Sequence, residues 1–302
     1  MNFDTPPSAT EPGSSLQPEW QRPLEAWCDL LAQCARKPSR KRVHALRRLT
    51  LRLRAAMQHG LRDQARNSPA VRALKRWEKA GKRLRKTLGP VRDIDVFLSR
   101  LVDLRDSSSH VLDHKPHLGQ RCLREIDKLQ TRLENERQSG AKELMKVLAA
   151  RSKRLNRRSQ EIEDSAPPRM SPMEHSTADA ALEIFAGITA DFPVIDDTNL
   201  HAYRKRLKHA LYLAEISAPA DPVAKRLSAA FRKIHSAAGE WHDWQTLAGE
   251  ARRILPSHGK QDGLVPVLEG LAQGALKKAV GLCRRSAAQF LTKDGKIRPL
   301  QK

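Results

Sequence analysis

The stretch VHALRRLTLRLRAAMQ, residues 43–58, carries one histidine and four arginines on sixteen residues. At about 100° per residue of an α-helix, Leu46, Leu49 and Leu53 fall in one narrow sector, which predicts a face packed against a core. His44 and Arg47 fall in another sector on the far side, so the stretch predicts an amphipathic helix with a cationic stripe along it.

The cationic stripe has no acidic neighbours, because residues 40–62 contain neither Asp nor Glu. A solvated helix face normally mixes charge signs, since like charges three or four residues apart repel. The whole chain of 302 residues has a formal charge of +22 and a pI of about 10.4. This excess favours a polyanionic partner, for which nucleic acid, an anionic membrane surface and inorganic polyphosphate all qualify.

The rest of the chain predicts an all-α protein. From Trp20 onward the apolar spacing is helical and alternating strand patterns are missing. Residues 1–18, rich in Pro, Ser and Thr, are expected to be flexible. No signal-peptide pattern and no run of eighteen apolar residues is found, and the four cysteines fit neither a zinc site nor a disulfide framework. These features favour a protein of the reducing cytoplasm without a membrane span.

The chain contains an internal duplication. Residues 43–55 align with 200–212, and residues 82–98 align with 232–248, at offsets of 157 and 150. The second alignment superposes Gly89 on Gly239. A repeat of this length predicts two similar helical bundles related by a pseudo-two-fold axis.

The boundaries follow from composition. A proline-rich break separates the two copies. The predicted division is a flexible segment 1–18, a first bundle 19–158, a linker 159–176, a second bundle 177–292 and a basic C-terminal tail 293–302.

The second copy repeats the cationic stripe. His201, Arg204 and Lys208 share one helix face with Tyr212, and Lys205 flanks them. The simplest alternative is that both stripes are solvated outer faces of amphipathic helices. The missing acidic residues and the return of H-x-x-R in both halves favour a binding surface instead.

These motifs resemble the CHAD domain family. The matching segments are HALR at 44–47, LGPVRDID at 88–95, HAYR at 201–204 and AGEWHDWQ at 238–245. The resemblance implies two antiparallel four-helix bundles with a basic channel between them. It also implies binding of inorganic polyphosphate without chemistry, and association with polyphosphate granules.

The candidate polyphosphate-binding residues combine the stripes with the resemblance. The resemblance places His44, Arg47, Arg52, Arg54, His201, Arg204, Lys208 and His209 in the channel. The basic runs beside the motifs add Arg48, Lys82, Arg83, Lys86, Lys205, Tyr212, Arg232 and Lys233.

The two copies are not identical. His242 stands where the first copy has Arg92, and Gln245 stands where it has Asp95. The second half is therefore expected to bind more weakly or with a stronger dependence on pH. Asp93 and Asp243 are interpreted as structural residues that either cap a helix start after the glycine or orient a neighbouring cation.

Other functions remain open alternatives. Non-specific nucleic-acid binding through phosphates suits the charge, although aromatic residues make up only 4% of the chain. A phosphohydrolase would need carboxylates or a nucleophile on the stripes, and neither is present. No cofactor or metal motif is found; zinc at His110, His114 and His117 is an alternative that Pro116 disfavours.

Overall fold

Eight α-helices lie in the part of the chain that the structure describes. The computed structural model describes residues 21–111, 116–165, 177–219, 221–255, 263–292 and 294–298. Their helices are α1 Gln21–Arg36, α2 Arg40–Gly60, α3 Pro69–Val111, α4 Pro116–Ser165, α5 Thr177–Asp191, α6 Leu200–Ser217, α7 Pro222–Ile254 and α8 Leu264–Phe290.

The prediction of an all-α protein is confirmed. Within the described ranges the only β-type pairing is a single antiparallel bridge between Leu291 and Ile297. None of the described helices combines the length and the apolar character that crossing a membrane requires.

Helix starts follow local chemistry. Ser39 precedes α2, and its hydroxyl accepts a hydrogen bond from the Arg42 amide at 3.4 Å. Asp221 precedes α7, and its carboxylate accepts from the Val223 amide at 2.8 Å. These side chains satisfy amides that have no partner within the first helical turn.

The capping role considered for Asp93 and Asp243 is wrong. α3 continues without a break from Pro69 to Val111 and includes Pro90, and α7 continues from Pro222 to Ile254. Both aspartates therefore lie inside helices. The hydrogen bond lost at the proline is offset by packing, since Leu88 and Val91 on either side are buried.

The first hydrophobic cluster joins α1, α2, α3 and α4. Trp27 and Trp77 lie at its centre with ring centroids 5.5 Å apart. The Trp27 indole donates to the buried Thr50 hydroxyl at 2.8 Å. This cluster fixes the apolar face of α2 and leaves its cationic face pointing away.

The second hydrophobic cluster is built mainly from α5–α8. Phe185, Phe231 and Phe290 pack together there, with centroid separations of 4.7 to 6.3 Å. Leu101 of α3 and Leu129 of α4 belong to this cluster as well. The two long helices therefore contribute to both cores.

The first seven residues of the predicted linker between the two repeats are helical. Residues 159–165 of the predicted linker continue α4, because Ser159 and Ile162 are buried against the first core. α2 contacts α6, and α3 contacts α7. The helices that carry the two cationic stripes thus meet one another, which positions the candidate site.

Candidate functional site

Five cations converge where α2, α3 and α6 meet. We call them the central cluster: Arg47, Arg85, Arg92, Arg204 and Lys208. Lys208 interacts electrostatically with all four arginines, which come from both halves of the chain. Such proximity costs repulsion in the free protein.

Each H-x-x-R arginine lies against the glycine of the block that follows it. A Cβ added at Gly89 would lie 3.8 Å from Arg47 Nη1, and one at Gly239 would lie 3.3 Å from Arg204 Nη2. The glycines leave room for the guanidinium groups beside the helix backbone. The repeated sequence motif therefore corresponds to the same contact in both halves.

Two aspartates lie among the arginines. Asp93 is 2.9 Å from Arg92 Nη1. Asp243 is 3.6 Å from both Arg92 Nη1 and Arg100 Nη2, so it joins α7 to α3. These pairs agree with the predicted orienting role. Burial raises the pKa of Asp243 despite the arginines beside it.

The central cluster contains buried donors that no acceptor in the described part of the protein satisfies. Arg47 Nη1 donates to the backbone carbonyl of Arg85 at 2.6 Å. Within the described chain, Arg85 Nη1, Arg204 Nε and His235 Nε2 are buried without a hydrogen-bond partner. Arg204 is only 8% exposed, so its unpaired donor is costly in the free protein.

Lys208 is the most strongly perturbed cation of the cluster. Burial, and then repulsion from Arg204 and Arg47, lower its pKa from 10.5 to about 7. Its ammonium group therefore titrates near neutral pH.

The histidines around the cluster are held neutral. Burial, followed by Arg204 and Lys208, lowers the pKa of His235 to about 3. Burial, followed by His201 and Arg204, lowers the pKa of His242 to about 4, and the His201 and His242 rings lie 4.6 Å apart. A bound anion would reverse this field and favour their protonated forms.

The two motif histidines also have lowered pKa values. Partial desolvation and Arg48 lower the pKa of His44. Desolvation and Lys205 lower that of His201. The direction agrees with their position on cationic stripes.

Several predicted residues surround the central cluster. Tyr212 is 7% exposed, and burial raises the pKa of its phenol, so it is a neutral hydrogen-bonding group there. Arg48 and Lys205 are exposed at its edge. His209 lies near Arg54, and burial lowers its pKa.

Other predicted residues are engaged elsewhere. Arg54 is 3.2 Å from Glu78. Arg52 and Arg232 both contact Glu215, at 2.6 and 2.8 Å, beside a cavity of about 820 Å³ between α2 and α6. The remaining four predicted cations are exposed: Lys82, Arg83, Lys86 and Lys233.

The sequence interpretation missed Arg85, Arg92 and His235. Arg85, Gly89 and Arg92 recur at i, i+4 and i+7, so helical spacing alone places both arginines on the glycine face of α3. That signal was available in the sequence. The third residue, His235, lies in the second repeated block at the position that the offset of 150 pairs with Arg85.

No three His, Cys, Asp or Glu side chains are grouped to hold a metal in the described part of the chain. The zinc alternative concerns three other histidines. His114 and the side chains of His110 and His117 lie outside the described residues.

The comparison with protein families agrees with the motifs. The family model described as the CHAD domain matches residues 20–252. The chain belongs to the CHAD domain family. Neither the curated proteins nor the solved structures that were compared gave a match. The matched region contains the whole central cluster, so the cluster belongs to the CHAD domain itself.

The central cluster of this CHAD domain suits oxyanions. An arginine guanidinium can contact two phosphate oxygens at once, and a lysine supplies a point charge. Repeated phosphates would satisfy the buried donors and offset the repulsion among the five cations.

Proposed function

We propose that this CHAD domain binds inorganic polyphosphate in a basic channel between two antiparallel four-helix bundles related by a pseudo-two-fold axis. The matched contacts of Arg47 with Gly89 and of Arg204 with Gly239 support such a relation. The central cluster is the core of the proposed channel.

The observation that carries the proposal is the unsatisfied positive charge of the cluster. Arg204 Nε and Arg85 Nη1 are buried with no acceptor among the described residues, and Lys208 lies among four arginines. Buried polar groups in proteins are normally paired. A chain of phosphates supplies both the acceptors and the negative charge.

Burial favours polyphosphate over nucleic acid. Duplex DNA presents its phosphates on the outside of a wide helix and is contacted by exposed cations. Arg204 and Asp243 are each 8% exposed, so only a narrow chain could reach the cluster. Polyphosphate carries no sugars or bases, so it is narrow enough to reach the central cluster.

We propose that binding occurs without catalysis. The carboxylates at the cluster are paired with arginines, Asp93 with Arg92 and Asp243 with Arg92 and Arg100. Because both carboxylates are engaged in these ion pairs, we assign neither of them a role as a general base. The protein would then act as a binding module of the cytoplasm that associates with polyphosphate granules.

The test is a titration with long-chain polyphosphate in the presence of excess duplex DNA at fixed salt. We expect polyphosphate to bind despite the DNA. The variant Arg47→Gln with Arg204→Gln is expected to lose at least 100-fold in affinity, because each charge-assisted contact contributes about 1.5–3 kcal/mol.

The matched control neutralises two exposed cations of α8, Lys277→Gln with Arg284→Gln. We expect it to lose less than tenfold. Equal losses in the two double variants would show that net charge alone governs binding, and nucleic-acid binding would then be the better account.

A further inference from the structure

A second group of cations lines a groove on the other side of α3. The groove lies between α3 and α4 and has a volume of about 260 Å³. Its polar lining consists of six cations and one hydroxyl: Arg76, Lys79, Arg83, Arg151, Arg154, Arg158 and Thr87.

The groove is separate from the central cluster. Arg83 and Arg85 are two residues apart on α3, so their side chains leave the helix about 160° apart. Arg85 belongs to the cluster, whereas Arg83 lines the groove. The two cationic surfaces therefore lie on opposite faces of one helix.

The groove has an open cationic part and a neutralised end. Glu161 contacts Arg76 at 3.0 Å and Arg158 at 2.7 Å. Among the described residues no carboxylate pairs with Lys79, Arg83, Arg151 or Arg154, and Arg151 donates only to the Thr87 hydroxyl, at 3.2 Å. Four positive charges thus line the groove without a paired carboxylate from the described residues.

The floor of the groove strengthens this field. It is formed by apolar side chains, of which Leu84, Leu148 and Leu155 are buried. A cleft with a low-dielectric wall and one sign of charge concentrates the potential inside it. The lining of α3 extends from residue 76 to residue 87, a length of about 16 Å at 1.5 Å per residue.

We infer that the groove between α3 and α4 is a second binding site for a linear chain of phosphates. The inference rests on the proposed function, since it assigns the same ligand class to a second surface. The length of the groove and the cations along both of its helices suit an unbranched phosphate chain. Exposed Lys82 and Lys86 lie between the two faces of α3 and would let one long chain occupy both sites.

The experiment counts binding sites by calorimetry with tripolyphosphate, a probe too short to span both sites. We expect two sites in the parent protein. The groove variant Arg83→Gln with Arg154→Gln should retain one site, and the cluster variant Arg47→Gln with Arg204→Gln should retain the other. For long polyphosphate, the groove variant should lose about 100-fold in affinity, because linked sites multiply their binding.

The matched control is Lys142→Gln with Lys153→Gln. Both lysines are exposed on α4, and helical geometry places them on the face opposite the groove. This control should keep two sites. Circular dichroism of every variant verifies that the helices are retained.

The outcomes separate the two proposals. Two sites in the groove variant, or no site in the cluster variant, would overturn the groove and leave the central channel standing. If excess duplex DNA displaced tripolyphosphate from the groove, the proposal would also be overturned, and the groove would be a nucleic-acid surface. If the parent protein binds no tripolyphosphate and no long polyphosphate, the proposed function itself is wrong.

Discussion

Replacing Lys208 by methionine should stabilise the free protein while weakening polyphosphate binding. Lys208 is half-buried among four arginines, and its pKa falls from 10.5 to about 7. At 1.36 kcal/mol per pKa unit, the fall corresponds to about 5 kcal/mol of unfavourable free energy for the charged form. Methionine has a similar length and no charge, so it removes this cost.

The expected gain in the free energy of unfolding is about 1–4 kcal/mol at pH 7, the range by which apolar replacement of buried ion pairs stabilises proteins. The gain depends on pH. Below pH 7, Lys208 is charged in both the folded and the unfolded state, and the cost is fully present. Between pH 7 and pH 10.5 the unfolded state binds more protons, so the parent regains stability and the difference shrinks.

Urea denaturation at pH 6, 7 and 10 measures the gain. The neighbouring Lys205 is exposed on α6, and Lys205→Met is the control, expected to change stability by less than about 0.5 kcal/mol. In parallel, Lys208→Met should lose about 10- to 150-fold in polyphosphate affinity, the equivalent of one charge-assisted contact of 1.5–3 kcal/mol.

Calorimetry in buffers of different ionisation enthalpy tests the same group. At pH 8 free Lys208 is mostly neutral, and the bound polyanion should restore its charge, so the parent should take up nearly one proton more than the variant. If Lys208→Met were less stable than the parent, or if parent and variant took up equal numbers of protons on binding, the prediction would be refuted. The charged lysine would then not lower the stability of the free protein in favour of ligand binding.

Three further outcomes are expected. Gly239→Ala places a methyl group 3.3 Å from Arg204 Nη2 and should weaken polyphosphate binding about tenfold. The thermal midpoint should not fall, because alanine favours the helix. An unchanged affinity would show that this contact is unimportant for binding. Acidification from pH 6.5 towards pH 3 should destabilise the free protein. His235 binds a proton in the unfolded state over this range, whereas in the folded state its pKa of about 3 keeps it neutral. Thermal melts across this range measure the loss of stability, and a thermal midpoint that does not change with pH would contradict the prediction. Arg137→Ala should destabilise the fold by about 3–5 kcal/mol in urea denaturation. Asp95 is 7% exposed and lies 2.8 Å from Arg137, so the variant leaves this carboxylate without its partner. A loss of stability under about 1 kcal/mol would argue against a structural ion pair.

Periodicity predicted much of this structure. The spacing of Leu46, Leu49 and Leu53 predicted a helix with a buried face, and α2 has Leu46 and Leu53 fully packed. The duplicated motifs predicted that Gly89 and Gly239 are equivalent, and each lies against the arginine of its own half. Such features are local and repeat at helical intervals, so they are visible in one sequence.

Other features depend on contacts between distant segments. The choice between capping and orienting roles for Asp243 required knowledge of Arg92 and Arg100, which lie far away along the chain. Similarly, composition cannot show that Arg52 and Arg232 share Glu215. Tertiary packing decides which carboxylate a cation pairs with. A stripe of cations therefore predicts a cationic surface, but it does not predict which of these cations remain unpaired and able to bind a ligand.

The most direct test of the central channel is a crystal structure of the protein with tripolyphosphate. The proposal predicts phosphate oxygens within hydrogen-bonding distance of Arg85 Nη1 and Arg204 Nε, the two buried arginine donors that lack a partner in the described chain. Phosphates bound only to exposed lysines, with both arginine donors still unpaired, would contradict it.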